Sequence, residues 1–215
     1  MQTLNRLLRY LFFATFVRLV VLFVLGLNVR HREKLPQQGP AILVANHNSH
    51  LDTMVLMTLM PLRQLHQVKP VAAMDYFLRN PFLAWFALNI IGILPISRRG
   101  DSKSNPLAAC SDALEQGKIL IFFPEGSRGE PEKMQHFKSG IAHLAKQHPQ
   151  VPVIPLFLHG LGKALPKGES LLVPFFCDIF VGDPLPVCDN KNDYMENLER
   201  NIQLLADEGH FKDWT

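Results

Sequence analysis

The sequence predicts an α/β domain: a largely parallel or mixed central sheet flanked by helices, preceded by an N-terminal helical segment that associates with a membrane. Three observations carry this. Short apolar runs such as Ala41–Ala45 and Ile119–Phe122 are too brief for helices and read as buried strands. Stretches with helical spacing separate them, and that alternation argues for helices packed around a mostly parallel sheet. The stretch from Tyr10 to Val29 is almost wholly apolar, interrupted by Arg18. At 215 residues the chain is one domain's worth, long enough to bury a full core.

The elements follow in chain order. Residues 1–34 read as the membrane-anchoring helical segment and residues 35–215 as the α/β domain. The uncharged stretches on either side of Arg18 are each shorter than the roughly 20 residues of a span. A single span through Arg18 costs about 2.5–3.5 kcal/mol for the arginine, against about 0.3–0.6 kcal/mol returned by each Leu, Phe or Val. The favoured reading is a helix, or a bent pair, lying in the interface with Arg9 and Arg18 snorkelling to the headgroups. A cleaved signal peptide ranks last, because no small-residue cleavage site follows the run. Pro36-Gln37-Gln38-Gly39-Pro40 is a turn-rich hinge. Ala41–Ala45 is a strand, Asp52–Met60 an apolar helix closed by Pro61, and Val71–Ala73 a short strand. Asn80-Pro81 caps a very apolar helix to about Leu88. Ser104–Glu115 is a helix stopped by Gly117. Ile119–Phe122 is a strand, Ser139–Gln147 a helix, and Val151 to Pro155 opens another strand. Asp193–Asp207 closes the chain with Tyr194, Leu198, Ile202 and Leu205 at helical spacing.

The most informative stretch is Asn46-His47-Asn48-Ser49-His50-Leu51-Asp52. His47 and Asp52 stand five positions apart, which puts them off a common face on either a helix or a strand. They meet only if the chain turns between them. Ser49-x-x-Asp52 supplies the turn, because it reads as a helix start with Ser49 as N-cap. A histidine held by a carboxylate is an oriented general base, able to take the proton from a hydroxyl nucleophile. The plain alternative is that Asp52 only completes a capping box and His47 is a polar loop residue. A metal reading of His47, His50 and Asp52 is weaker still: the spacing is unlike that of metallo-hydrolases, and no later His/Cys cluster stands out.

Three further segments change that weighing: Gly92-Ile93-Leu94-Pro95-Ile96-Ser97-Arg98, Phe123-Pro124-Glu125-Gly126-Ser127-Arg128-Gly129 and Val151-Pro152-Val153-Ile154-Pro155. With the His47–Asp52 stretch, and in this order, they resemble the four blocks of the glycerolipid acyltransferases, nearest to the 1-acylglycerol-3-phosphate (lysophosphatidic acid) type. The resemblance covers roughly Leu35 to Pro186. The family pattern often has an aromatic residue where His50 stands, a departure that bears on acceptor choice, and Phe or Ile where Leu94 stands.

The resemblance implies that a hydroxyl attacks the thioester carbonyl of an acyl carrier. His47 then serves as base and Asp52 holds its other ring nitrogen. It assigns substrate binding to the block of Glu125, Gly126, Ser127 and Arg128, with Arg128 the candidate for a phosphate because its guanidinium bonds phosphate oxygens in pairs. Gly126 lets the backbone approach closely. Glu125 either contacts Arg128 or a glycerol hydroxyl, or stabilises the loop. Arg98 and Lys138 are secondary candidates for the phosphate or the oxyanion. Ser127 lacks the Gly-x-Ser-x-Gly elbow of serine hydrolases and reads as a loop residue. The implied acceptor is 1-acyl-sn-glycerol 3-phosphate and the product phosphatidic acid. Acyl-CoA or acyl-carrier protein is the donor substrate, and no cofactor or metal is needed. A lyso-ornithine lipid, a lysophospholipid or glycerol 3-phosphate is the alternative acceptor, and a metal-dependent hydrolase the remoter rival. The implied location is the cytoplasmic face of a membrane, as a monotopic or single-span inner-membrane protein.

Composition agrees with lipid contact. Hydrophobic residues make up 47% and charged residues only 19%, below the ordinary share of about 25%. Residues 1–34 carry +5 and the remainder −2 of the overall +3. That asymmetry suggests an anionic membrane surface, whereas nucleic acid would call for a basic patch on the body. Cys110, Cys177 and Cys188 are too few and too scattered for a disulfide framework or a zinc site. His66, His136, His143, His148 and His159 read as ordinary surface or packing histidines.

Overall fold

The structure is a computed structural model, and it describes residues 2–74, 80–97, 105–166 and 171–211. Seven strands form one sheet: β1 (Leu25–Arg30), β2 (Ala41–Ala45), β3 (Val68–Ala73), β4 (Leu94–Ile96), β5 (Ile119–Phe122), β6 (Val153–His159) and β7 (Phe175–Val181). Their spatial order is β1-β7-β6-β2-β5-β3-β4. Every neighbouring pair is parallel except β6 with β7. β2 lies between β5 and β6, with Leu43 opposite both Ile121 and Ile154. All five of its residues are buried, which is why it reads as an unbroken apolar run rather than an alternation.

Because successive side chains of a strand point to opposite faces, β2 feeds two cores. Ala41, Leu43 and Ala45 join one apolar cluster; Ile42 and Val44 join the other. The first is completed by α1 (Gln2–Phe12), α2 (Arg18–Phe23) and α3 (His50–Leu59), with a π-helical turn at Phe13–Val17 joining α1 to α2. The helix α4 (Pro81–Phe86) and its own π-helical turn, Ala87–Ile91, lie on the same side. The second core lies under α5 (Ala108–Glu115), α6 (Gly140–Gln147) and α8 (Lys191–Glu208), while the short α7 (Leu161–Ala164) follows β6. Tyr194, Leu198 and Ile202 are the buried face of α8, as their spacing predicts. Ser104 lies outside the described residues, so the expected start of the helix before Gly117 is described only from Ala108.

The N-terminal reading needs three corrections. Residues 25–34 are not part of a helical anchor, because Leu25–Arg30 is an edge strand paired in parallel with β7. An apolar run gives the same pattern in either conformation, and only a partner strand distant in sequence decides between them. Secondly, the helix is not an appendage: Phe13, Val17 and Val21 are buried in the first core, each worth on the order of 2 kcal/mol of apolar burial. Thirdly, Arg9 does not snorkel. It is 7% exposed and donates to the Val68 carbonyl at 3.0 Å. Its guanidinium lies against Gly92, where a Cβ would come 2.5 Å from Nη1, so this glycine makes room for the cation. Burial lowers the Arg9 pKa to about 10, which leaves it charged. Arg18 is exposed, as expected.

The outer face of these helices is apolar. Leu4, Leu7, Leu11, Phe16, Leu19 and Phe23 are exposed. Beside them Phe82, Leu83, Trp85 and Leu88 are exposed on α4 and its π turn. Asn5 bonds Asn89 at 2.6 Å and the Phe12 and Phe86 rings meet edge to face, which holds the two helical segments together. No helix among the described residues is long and apolar enough to cross a membrane.

Candidate active site

β2, β5 and β6 run in the same direction, so the loops leaving them gather at one end of the sheet. In open α/β sheets that carboxyl end is where ligands bind. Asn46 ends β2 by using its side chain as one more rung. Its Nδ2 donates to Leu158 O at 2.9 Å and its Oδ1 accepts from Leu158 N at 2.8 Å, so the backbone is free to turn out of the sheet.

The turn is built as the spacing predicts. Ser49 is the N-cap of α3: its Oγ accepts from Leu51 N at 3.2 Å and donates to Leu165 O at 2.9 Å. Asp52, 1% exposed, sends one oxygen to three donors. Oδ2 accepts from Ser49 N at 2.9 Å, Asn48 N at 2.8 Å and His47 Nδ1 at 2.9 Å. Asp52 therefore both completes the capping box and holds the His47 ring. The capping box that starts the helix also fixes which His47 nitrogen carries the proton, because Nδ1 must donate to the carboxylate.

The loop after β5 closes around this histidine. The Phe123 ring stacks on the imidazole with centroids 4.0 Å apart. Glu125 Oε1 accepts from His47 N at 2.8 Å, and Gly129 N donates to His47 O at 2.9 Å. Glu125 is 2% exposed. Burial pushes its carboxyl up to about 7, against backbone donors from His47 and Gln135 that pull it down. Of the two readings left open for Glu125, the loop-stabilising carboxyl describes these bonds.

Arg128 is half-buried in the same loop. Its charge reaches His50, whose imidazole is lowered to about 4, first by desolvation and then by the Arg128 and His47 charges, although part of the ring remains exposed. His50 therefore stays neutral beside the arginine. Gly126 has φ +73°, and a Cβ there would come 2.7 Å from Lys138 Nζ, so the Lys138 ammonium lies against the turn. Lys138 N donates to Pro124 O at 2.9 Å, and its side chain is exposed, as is Ser127. His47, Asp52, Glu125, Gly126, Arg128 and Lys138 thus share one corner. Arg98 lies outside the described residues.

Sequence reading missed three residues around this corner. With its amide oriented to satisfy both neighbours, Asn48 donates to His47 O and accepts from Glu132 N, each at 3.2 Å. Glu132 pairs with His159 Nδ1 at 2.7 Å. The only local signal is that Asn48 sits inside the motif; Glu132 and His159 lie outside all four blocks. Among the described residues no group of three or more His, Cys, Asp or Glu side chains is set to hold a metal ion. A cavity of about 120 Å³ lined by Ala145, Val153, Leu185 and Tyr194 lies at the start of β6, away from this corner.

Comparison with known proteins bears on what this corner does. A profile of the Acyltransferase family matches residues 26–159. A chloroplastic 1-acyl-sn-glycerol-3-phosphate acyltransferase of Brassica napus is 30% identical over 176 residues, covering 81% of this chain and 48% of its own. The Chlamydomonas reinhardtii acyltransferase of the same name is 36% identical over 165 residues, covering 75% of this chain and 46% of its own. The alpha form from Bos taurus is 29% identical over 184 residues, 85% of this chain and 62% of its own. The chain spans about half the length of the curated relatives it matches. The crystal structure of the 1-acyl-sn-glycerophosphate (LPA) acyltransferase from Thermotoga maritima superposes over 100% of both chains with a TM-score of 0.71 at 18% identity, a likeness of fold.

Proposed function

We propose that this chain, which belongs to the glycerolipid acyltransferase family, moves a fatty acyl group from a thioester donor to the free hydroxyl of 1-acyl-sn-glycerol 3-phosphate, giving phosphatidic acid. The observation that carries the reading is the single Asp52 oxygen that holds His47 Nδ1 together with two backbone N–H groups. With Nδ1 committed, Nε2 is the nitrogen that accepts the hydroxyl proton. The hydroxyl oxygen attacks the thioester carbonyl and a tetrahedral oxyanion forms. Its collapse breaks the C–S bond, and His47 returns the proton to the departing thiolate. Such general-base assistance is worth about 10²–10⁴ in rate. Neither an acyl-enzyme nor a cofactor is required.

In this reading Arg128 binds the acceptor phosphate, and Lys138 beside Gly126 serves the phosphate or the oxyanion. The donor is acyl-CoA or acyl-carrier protein. The exposed apolar faces of α1, α2 and α4 lie in the surface of a membrane at its cytoplasmic side, with Arg6 and Arg18 toward anionic headgroups. The lipid acceptor then reaches the site without crossing water.

The test is an acceptor panel read by thiol release: lysophosphatidic acid, glycerol 3-phosphate, a lysophospholipid and a lyso-ornithine lipid. Lysophosphatidic acid is expected to be the best acceptor. Arg128→Ala is expected to raise its KM about tenfold or more, the worth of a charged hydrogen bond, and to leave an acceptor without a phosphate monoester little changed. Equal rates across the panel, or an unmoved KM, would reject the assignment. Membrane contact is tested separately by sedimentation with anionic vesicles. Phe16→Ser, Phe23→Ser and Phe82→Ser combined should release the protein, and undiminished binding would refute that surface.

A further inference from the structure

Beside this corner stands a further carboxylate held by hydrogen bonds, Glu132, and acyl transfer as written above does not use it. Glu132 stands in the middle of the loop that carries Arg128 and Lys138. Its Oε2 lies 2.7 Å from His159 Nδ1, with side chains 14% and 12% exposed. Both of its oxygens accept from Gly160 N at 3.1 Å. Its backbone has φ +60°, a left-handed conformation that costs a residue bearing a Cβ roughly 1–2 kcal/mol. Backbone preference therefore does not put a glutamate there. The side-chain contacts do.

On its main-chain side Glu132 faces the base. Its N–H donates to the Asn48 amide oxygen, and the Asn48 NH₂ donates to His47 O, each at 3.2 Å. That carbonyl also accepts from Gly129 N at 2.9 Å. One chain of contacts thus runs from the end of β6 through Glu132 and Asn48 to the backbone of the catalytic histidine. Phe211 stacks on the His159 ring at 3.6 Å between centroids, so the far end of the chain is held between two elements.

We infer that Glu132 is a positioning residue for this reaction: it fixes the loop bearing Arg128 to the end of β6 and, through Asn48, sets where the His47 ring stands relative to the acceptor hydroxyl. The inference rests on the acyl-transfer reading of the site. Its carboxylate is taken up by His159 and Gly160, so it acts through Asn48 and not on the reacting atoms. Its effect is geometric, and a displacement of about 1 Å in a reacting group costs on the order of 10² in rate.

The experiment compares wild type, Glu132→Gln, Glu132→Ala and Asn48→Ala in steady-state thiol release, in thermal melting, and in the low-field proton resonance of His47 Nδ1–H. Glu132→Ala is expected to lower kcat about 10- to 100-fold and to shift or broaden the resonance, in protein that melts cooperatively. Glu132→Gln, which keeps an acceptor for Gly160 N, recovers most of kcat. Asn48→Ala, which removes the bridge and leaves the anchor, reproduces the loss. This variant carries the test if Glu132→Ala does not fold. A kcat within twofold of wild type in Asn48→Ala, an unmoved resonance, or a loss matched by the fraction unfolded overturns the inference. If wild type releases no thiol with any acceptor, the reaction is wrong, and the resonance still reads whether the clasp acts on His47.

Discussion

Two largely buried histidine–carboxylate pairs among the described residues make the same bond in different surroundings. His47 and Asp52 meet at 2.9 Å, His159 and Glu132 at 2.7 Å, and both pairs are largely buried. Around His47 stand a half-buried arginine, a neutral histidine and a glycine turn with a lysine ammonium against it. Phe211 stacks on His159 as Phe123 does on His47, and Phe157 stands beside it. A histidine–carboxylate pair is therefore not a site in itself. In the acyl-transfer reading the first becomes one because cations and an adaptable turn face it, while the second is taken up in holding the loop of Glu132 to the end of β6.

The sharpest way to break this contrast is to remove each imidazole. His47→Ala should lower thiol release by about 10²–10⁴ with the fold retained, whereas His159→Ala should cost less than about tenfold, since Glu132 keeps its bonds to Gly160. Comparable losses in the two variants would erase the distinction. Asp52→Asn comes next, at about 10², because the amide no longer dictates which His47 nitrogen is protonated. It should act on turnover and leave lipid binding unaltered. The smallest effect concerns stability. The Glu125 carboxyl ionises near 4.5 in the unfolded chain and near 7 in the fold. The fold thus holds the extra proton between those values, and this group's contribution to stability is lost as pH climbs through that window, by on the order of 3 kcal/mol. His50, held below its ordinary value, contributes in the opposite sense, so the test is the difference between wild type and Glu125→Gln. In urea titrations from pH 4 to 8 the stability of wild type minus that of Glu125→Gln should decline through the window. A difference that does not change with pH would show that burial does not raise the Glu125 carboxyl.

The same contrast explains what was legible in the sequence. His47, Ser49 and Asp52 lie within one turn of chain, so their meeting follows from helix-capping rules alone. β2 and β5 announce themselves because burial on both faces leaves an uninterrupted apolar run. Glu132 and His159 are brought together only by the return of β6 beside β2, and no local rule sees that. The N-terminus fails for a related reason: Leu25–Arg30 is a strand only because Phe175–Val181 is there to receive it. Arg9 goes inward rather than outward because Gly92, far along the chain, leaves a hollow for it. The family resemblance supplied what geometry alone would not, namely a reason to read Arg128 as a phosphate ligand.

The helix that bears the apolar outer face also contributes Phe13, Val17 and Val21 to the interior, and the strand after it closes one edge of the sheet. Trimming the N-terminus to remove that apolar face would therefore open the sheet and empty one side of the core. The workable route is to repaint the helix in place, exchanging Leu4, Leu11 and Phe16 for polar residues and leaving their inward neighbours alone.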